Sequence, residues 1–89
     1  MLKLPAILTQ AQASACLASQ LTGLRAQAGD SVQVDASGLD QFDSSALAVL
    51  LEFRREALAL GKHFAVLGVP PQLANLALLY GVEGLISRA

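Results

Sequence analysis

The chain has 89 residues, a length that holds one hydrophobic core and leaves no room for a second. Apolar residues make up 54% of it and charged residues 15%, with a net charge of −1 and six scattered Lys and Arg. This balance excludes the basic surface that binds nucleic acid or an anionic membrane, and three Phe, one Tyr and no Trp offer no stacking platform for bases.

The cysteine content and the N-terminus indicate the compartment. Cys16 is the single cysteine, so no disulfide can form within the chain, and we expect it to pack as a small core hydrophobe. Residues 1–10 have one Lys and a short apolar patch broken by Pro5, without the apolar length of a signal peptide. No window approaches the roughly 18 consecutive apolar residues of a membrane span. These features predict a cytoplasmic protein that does not insert into a membrane.

The first third of the chain predicts a strand followed by a helix. Residues 2–8 read as a short strand that Pro5 interrupts and confines to a sheet edge. Thr9 and Gln12 form a T-x-x-Q capping box ahead of a helix that runs to about Ala28, with Gly29 suited to the left-handed position after it. The inward face of this helix is predicted to comprise Ala13, Cys16, Leu17, Leu21 and Leu24.

The rest of the chain continues this alternation. Residues 31–36, SVQVDA, alternate in period two and predict a half-buried strand, and residues 37–43 a loop. A helix from Ser44 to about residue 60, a strand over 63–69 and a helix from Pro70 and Pro71 to Tyr80 follow. The last segment predicts a short strand or a final helical turn. The order indicates one α/β domain over residues 1–89, with a mixed, mostly parallel sheet and helices packed on it.

The second helix has an unusually wide apolar arc. On a helical wheel the face that should bury it on a sheet comprises Ala46, Val49, Leu50, Phe53, Ala57 and Leu60. An adjoining flank carries further leucines and the residues that border them: Leu47, Leu51, Leu58, Ser44, Ala48 and Arg55. Two interpretations stay open. The flank leucines pack against a neighbouring helix of the same domain, or Leu47 and Leu51 stay exposed beside Ser44 and dock a partner.

The start of this helix also has two interpretations. Asp43, Ser44 and Ser45 stand where an acid or hydroxyl caps orphan N–H groups and complements the helix dipole. Capping alone explains one of the three residues. The same position suits a serine that receives phosphate, or a hydroxyl presented to a partner whose binding an added charge would block.

VQVDASGLDQFDSSALAVLL resembles the signature region of the STAS domain, which sulphate transporters share with anti-sigma-factor antagonists. Asp35 matches the Asp that ends a strand in that family, and Asp43 the motif Asp that opens the next helix. Ser44 matches the hydroxyl residue that kinases phosphorylate in the antagonists. The resemblance covers roughly residues 31–86, and it departs from the family where Ala46 replaces a Gly and where the N-terminal strand region is shortened to about eight residues.

These departures, with the terminal LLYGVEGLI, look more like the MlaB type of STAS protein. That resemblance implies a small cytoplasmic subunit of a phospholipid-transporting ABC transporter that maintains outer-membrane asymmetry. It implies binding to the transporter ATPase, and with it the permease, at the inner face of the inner membrane. The expected partner-binding residues are Asp43, Ser44, Ser45, Leu47, Ala48, Leu51 and Arg55. The alternative is an anti-sigma-factor antagonist switched by phosphorylation of Ser44, with a serine kinase that is also an anti-sigma factor as its partner.

Chemistry of its own is not expected from this chain. His63 has no nearby Cys or second His, which argues against a metal site. The spacing of Ser44, His63 and an Asp does not by itself exclude a triad, but nothing in the sequence resembles a nucleophile elbow. The scattered glycines form neither a phosphate-binding loop nor a dinucleotide fingerprint. We therefore predict a binding domain without catalytic residues, metal or cofactor.

Overall fold

The structure, a computed structural model, describes residues 2–86. The strands are β1 (Leu2–Lys3), β2 (Ile7–Leu8), β3 (Ser31–Asp35), β4 (Gln41–Phe42) and β5 (His63–Leu67). The helices are α1 (Gln10–Ala26), α2 (Ser44–Ala59) and α3 (Pro71–Leu79), and a 3₁₀ turn follows at Glu83–Leu85. The predicted α/β class and the alternation of strands and helices are confirmed.

Two small parallel sheets carry the helices. The first has the strand order β1-β3-β5, and the second consists of β2 and β4. Every pairing among the described strands is parallel. The N-terminal segment therefore differs from the single interrupted strand that its sequence predicts. Around Pro5 it divides between the two sheets, and β1 lies at an edge as expected.

The core lies between one face of the three-stranded sheet and the helices. Val32 and Val34 of β3 and Val66 of β5 have no exposed surface, whereas the alternate residues Ser31 and Gln33 face solvent. α1 packs along α2, α2 packs on β5, and α3 lies beside α2. This period-two burial follows from the strand pleat, since successive side chains point to opposite faces. The result is a two-layer domain with one sheet face left open.

The ends of α2 and α3 follow their glycines. After α2 the N–H of Gly61 bonds to the carbonyl of Leu58 and that of Lys62 to Ala57, and Gly61 has φ +73°. α3 ends in the same way at Gly81, with φ +71°. This arrangement, the Schellman motif, satisfies the last carbonyls of a helix and needs a left-handed residue. Gly61 and Gly81 in the sequence therefore indicate correctly where these two helices end.

Several local predictions are wrong. α1 ends at residue 26 with Gln27 as its C-cap in extended conformation, so Gly29 belongs to the turn into β3 instead of the helix end. β4 lies within the predicted loop, and β5 stops two residues early because Gly68 turns with φ +65°. Residues 83–85 form a helical turn, one of the two forms expected there, and residues 87–89 lie outside the described residues.

Candidate functional site

Asp43 caps the start of α2, as its position predicts. Its backbone is extended, with φ −129°, and its Oδ1 accepts a hydrogen bond of 2.8 Å from the N–H of Ser45. Its Oδ2 accepts a second bond, of 3.2 Å, from the N–H of Gln10, the first residue of α1. The bonds from Ser45 and then Gln10 hold the pKa of this exposed carboxyl below its ordinary value. Asp43 thus contacts two helices through one carboxylate.

Ser44 is the first residue of α2, and its side chain is exposed beside a shallow groove. The groove has a volume of about 290 Å³ and lies between the first half of α2 and the chain that leaves α3. We call it the α2–α3 groove; its lining residues are Ser44, Leu47, Ala48, Leu51, Tyr80 and Val82. Each of these is uncharged, and all but Ser44 are mainly apolar. Four of the seven predicted partner-binding residues therefore share one surface.

Of the two interpretations of the α2 flank, packing within the domain holds for Leu47, and its exposure is wrong. Its side chain is only 3% exposed and belongs to the hydrophobic core, and α3 lies beside α2. Leu47 therefore forms the floor of the groove, while Leu51 is half-buried and Ala48 is exposed on its wall. Both interpretations of the flank hold in part, because one leucine packs within the domain and another stays accessible. Leu58, the third flank leucine, is 49% exposed and lies outside the groove.

The other predicted residues lie outside the groove. Ser45 is half-buried, and its N–H is used by Asp43. Arg55 is exposed and forms an ion pair of 3.5 Å with Glu52 on its own helix, an arrangement worth little in solvent. Glu56 pairs instead with Arg25 of α1, at 2.7 Å between Nε and Oε1. Arg55 is therefore not among the residues that line the groove.

Sequence reasoning missed the contribution of α3. Tyr80 and Val82 line the groove, and Tyr80 is 59% exposed. Its neighbours Leu78 and Leu79 are 63% and 80% exposed, an unusual exposure for large apolar side chains in a row. A signal for this surface was present, because no Asp, Glu, Lys or Arg lies between residues 62 and 83. An uncharged run that includes a whole helix leaves that helix no charged outer face.

Asp35, the strand-end acid, shapes the loop that leads to α2. Its Oδ1 accepts hydrogen bonds from the backbone N–H and the hydroxyl of Ser37, at 2.9 and 2.6 Å. These bonds, the hydroxyl bond first, lower the pKa of the Asp35 carboxyl, and the charge of Lys3 on β1 adds to the effect. The side chain acts within its own turn. It is a structural residue for the approach to α2.

A second groove, of about 540 Å³, lies between the N-terminal segment and α1. Cys16 lines it and is half-buried against the core, and burial raises the pKa of its thiol. A raised pKa keeps the thiol protonated and unreactive, in line with the packing role predicted for it.

The predicted inward face of α1 is only partly buried. Leu24 is its one fully buried residue, and Ala13, Leu17 and Leu21 pack partly against the core.

Two further observations concern the chemistry open to residues 2–86. Within that range no three His, Cys, Asp or Glu side chains gather as a metal would require, and His63 is an exposed residue at the start of β5. The helices described there are all too short or too polar to cross a bilayer. The α2–α3 groove is a small, mainly apolar surface with the Ser44 hydroxyl at its edge. Such a surface can bind a partner.

Comparisons with known proteins place this geometry in a family. A family profile described as "Mlab, STAS domain" matches residues 1–87. A search among curated proteins finds no match. The solved structure of an anti-sigma-factor antagonist (STAS) domain protein from Planctomyces limnophilus superposes with a TM-score of 0.79 at 19% identity, covering 97% of this chain and 77% of that one. At that identity the superposition supports the fold, and the profile match supports the family. The chain belongs to the STAS domain family.

Proposed function

We propose that this STAS domain is a non-catalytic cytoplasmic subunit that docks on the ATPase of an ABC transporter. In this proposal the transporter moves phospholipids and maintains outer-membrane asymmetry. The domain is peripheral at the inner face of the inner membrane, held there through the transporter. Support comes from the profile match over residues 1–87, whose description names Mlab, and from the sequence features that resemble that type.

The observation that carries the proposal is the α2–α3 groove. An uncharged, open surface next to an exposed hydroxyl suits a protein partner that inserts an apolar side chain and bonds to Ser44. Burial of the groove and of the exposed Tyr80 would supply the hydrophobic part of the binding energy. Binding would stabilise the assembled ATPase and so permit transport. No step of this role requires a reaction on the domain itself.

Charge introduced into the groove should abolish docking. Ser44→Asp places a carboxylate at its edge, and Ala48→Glu and Leu51→Glu place one on its wall, where an apolar partner would have to desolvate it. Binding to the purified ATPase subunit would be measured by calorimetry, and folding by circular dichroism. We expect loss of binding with the helical spectrum unchanged. Ala48 is exposed, so Ala48→Glu is the variant least able to disturb the core.

The matched controls carry the same charges elsewhere. Leu58→Glu lies on the same helix outside the groove, and Ser14→Asp lies on the exposed side of α1. Both should bind as the unmodified chain does. If the groove variants bind normally, or if the controls lose binding equally, the α2–α3 groove is not the docking surface.

The second candidate function is an anti-sigma-factor antagonist that phosphorylation of Ser44 switches. One observation favours it: Ser44 is exposed at a helix start, where a kinase could reach the hydroxyl. The partner would be a serine kinase that is also an anti-sigma factor.

Affinity capture from the native host, with bound proteins identified by mass spectrometry, separates the two functions. An ABC ATPase recovered with its permease supports the transporter role. A serine kinase, together with phosphate on Ser44, supports the antagonist role and contradicts the first proposal.

A further inference from the structure

The starts of α1 and α2 lie side by side because the strands before them pair in register. Leu8 at the end of β2 pairs with Phe42 at the end of β4, and the cap residue of each helix follows directly. α1 then packs along α2. Two helices that begin at one place bring two positive dipole ends together, which is unfavourable unless a negative group lies between them.

Asp43 is that group. Its two oxygens are divided between the helices, Oδ1 to Ser45 of α2 and Oδ2 to Gln10 of α1. Thr9, the cap residue of α1, is engaged with Gln12, because its hydroxyl and N–H both donate to the Gln12 side-chain oxygen. The N–H of Gln10 therefore bonds to a residue 33 positions away in the chain. At the other end the pair is joined by Arg25 and Glu56.

We infer that Asp43 is a positioning residue: its carboxylate caps both helices at once and fixes the start of α2, with Ser44 and the groove wall, against α1. Both carboxylate oxygens bond within the domain. In this role Asp43 acts on a partner through the placement of Ser44 and Ala48. The double cap involves contacts of this chain alone, whereas its effect on a partner rests on the proposed function.

Other charges near this junction are few. β2 and β4 carry none, the charge of α1 is Arg25 in its last turn, and the charges of α2 begin at Glu52, two turns from its start. Asp40, in the connection before β4, is the nearest acid in the sequence, and its side chain makes none of the hydrogen bonds found among residues 2–86. Hydrogen bonds to the backbone, more than ion pairs, therefore set the state of Asp43.

An NMR titration tests the double cap on the intact chain. The amide protons of Gln10 and Ser45 should shift with one common midpoint below the ordinary Asp value of 3.8, because one carboxylate accepts from both. In Asp43→Asn both titrations should vanish, and at neutral pH both amide protons should move upfield. Asp40→Asn, the matched control, should leave both titrations in place. Titration of Ser45 without Gln10 would overturn the inference.

Two variants test the bond from Asp43 to α1 without removing the cap of α2. Asp43→Ser keeps a good cap for α2 but has a single oxygen, so the Gln10 amide should lose its bond while the Ser45 amide keeps one. Gln10→Pro removes the donor from the α1 side and leaves Asp43 unchanged. Proline is favoured at the first helical position, and Thr9 before it is already extended, so α1 should remain folded.

Binding to the ATPase then distinguishes positioning from contact. Gln10→Pro and Asp43→Ser should both weaken binding, on the order of threefold for the loss of one exposed hydrogen bond, while Asp40→Asn should not. Loss of binding in Asp43→Ser but not in Gln10→Pro would make Asp43 a direct contact and overturn the positioning role. Absence of ATPase binding by the unmodified chain would contradict the proposed function alone, because the titration does not involve the partner.

Discussion

At the scale of single residues, Gly68 is where the fold admits no side chain. Its φ is +65°, and a Cβ there would lie 2.7 Å from the Cβ of Ser37 in the neighbouring loop. Gly61 has a similar φ, +73°, but open space around it, and Gly84 has neither constraint. Comparing a side chain at these three positions distinguishes the free-energy cost of the left-handed backbone from the cost of the steric clash with Ser37.

We therefore predict a graded effect of alanine on the free energy of unfolding. Gly61→Ala should lower the free energy of unfolding by about 1 kcal/mol, because alanine is strained in the left-handed backbone conformation. Gly68→Ala should lower it by about 3 kcal/mol, because Ser37 must also move. Gly84→Ala should change the free energy by less than about 0.5 kcal/mol. Urea unfolding followed by circular dichroism measures all three. An equal decrease in the free energy of unfolding at Gly61 and Gly68 would show that Ser37 moves aside without a cost in free energy.

Residue-scale errors of the helical wheel have a common cause. Leu60 falls on the buried face of the wheel yet is 46% exposed, because it is the C-cap and the chain is already turning toward Gly61. Leu47 falls on the flank yet is buried, because the wheel leaves out the other elements that pack on α2, α3 among them. A wheel describes one helix of uniform geometry. It contains neither the end of that helix nor its neighbours.

At the scale of elements, α2 is the helix that the core depends on. It contributes six of the buried side chains of the domain, among them Leu50 and Phe53 with no exposed surface. Leu50→Ala should therefore lower the free energy of unfolding by about 3 kcal/mol through lost contacts and a cavity. Leu58→Ala, the same change on the same helix at a half-exposed site, should change it by less than about 0.5 kcal/mol.

Chemical denaturation of both variants checks this prediction, with the dependence on urea concentration expected to stay constant. Similar losses at the two positions would mean that the buried face of α2 is assigned wrongly.

The elements also differ in how far a sequence can predict them. The period-two pattern of β3 and the capping and glycine signals of α2 and α3 are local, so their bounds were close to those observed. β2 and β4 have two residues each and exist through their mutual pairing. A strand of two residues shows no periodicity of its own, and the strand with which it pairs lies more than 30 residues away in the chain.

At the scale of the whole molecule, charge is unevenly distributed. The segment between residues 62 and 83 has no Asp, Glu, Lys or Arg, and it supplies α3 and two lining residues of the groove. If the groove is the docking surface, the affinity for the ATPase should depend little on salt. We expect a change below about twofold between about 0.1 and 1 M NaCl, over which the screening length falls to about 3 Å.

Calorimetric titration at several salt concentrations would measure this dependence. An affinity that falls about tenfold over this range would point to docking through the charged side of α2 near Arg55 instead of the uncharged groove.

The amino-acid sequence alone predicts the α/β class, the order of the helices, the cap at Asp43 and the family resemblance that the profile match supports. These depend on local signals: hydrophobic period, cap residues, glycines at helix ends and a short motif between strand and helix. Three features are visible only in the folded chain: Leu47 is buried beneath the groove, Tyr80 lines the same groove as Ser44, and one carboxylate joins two helices. Those features arise where segments distant in the chain meet, and no local pattern encodes which segment will lie beside which.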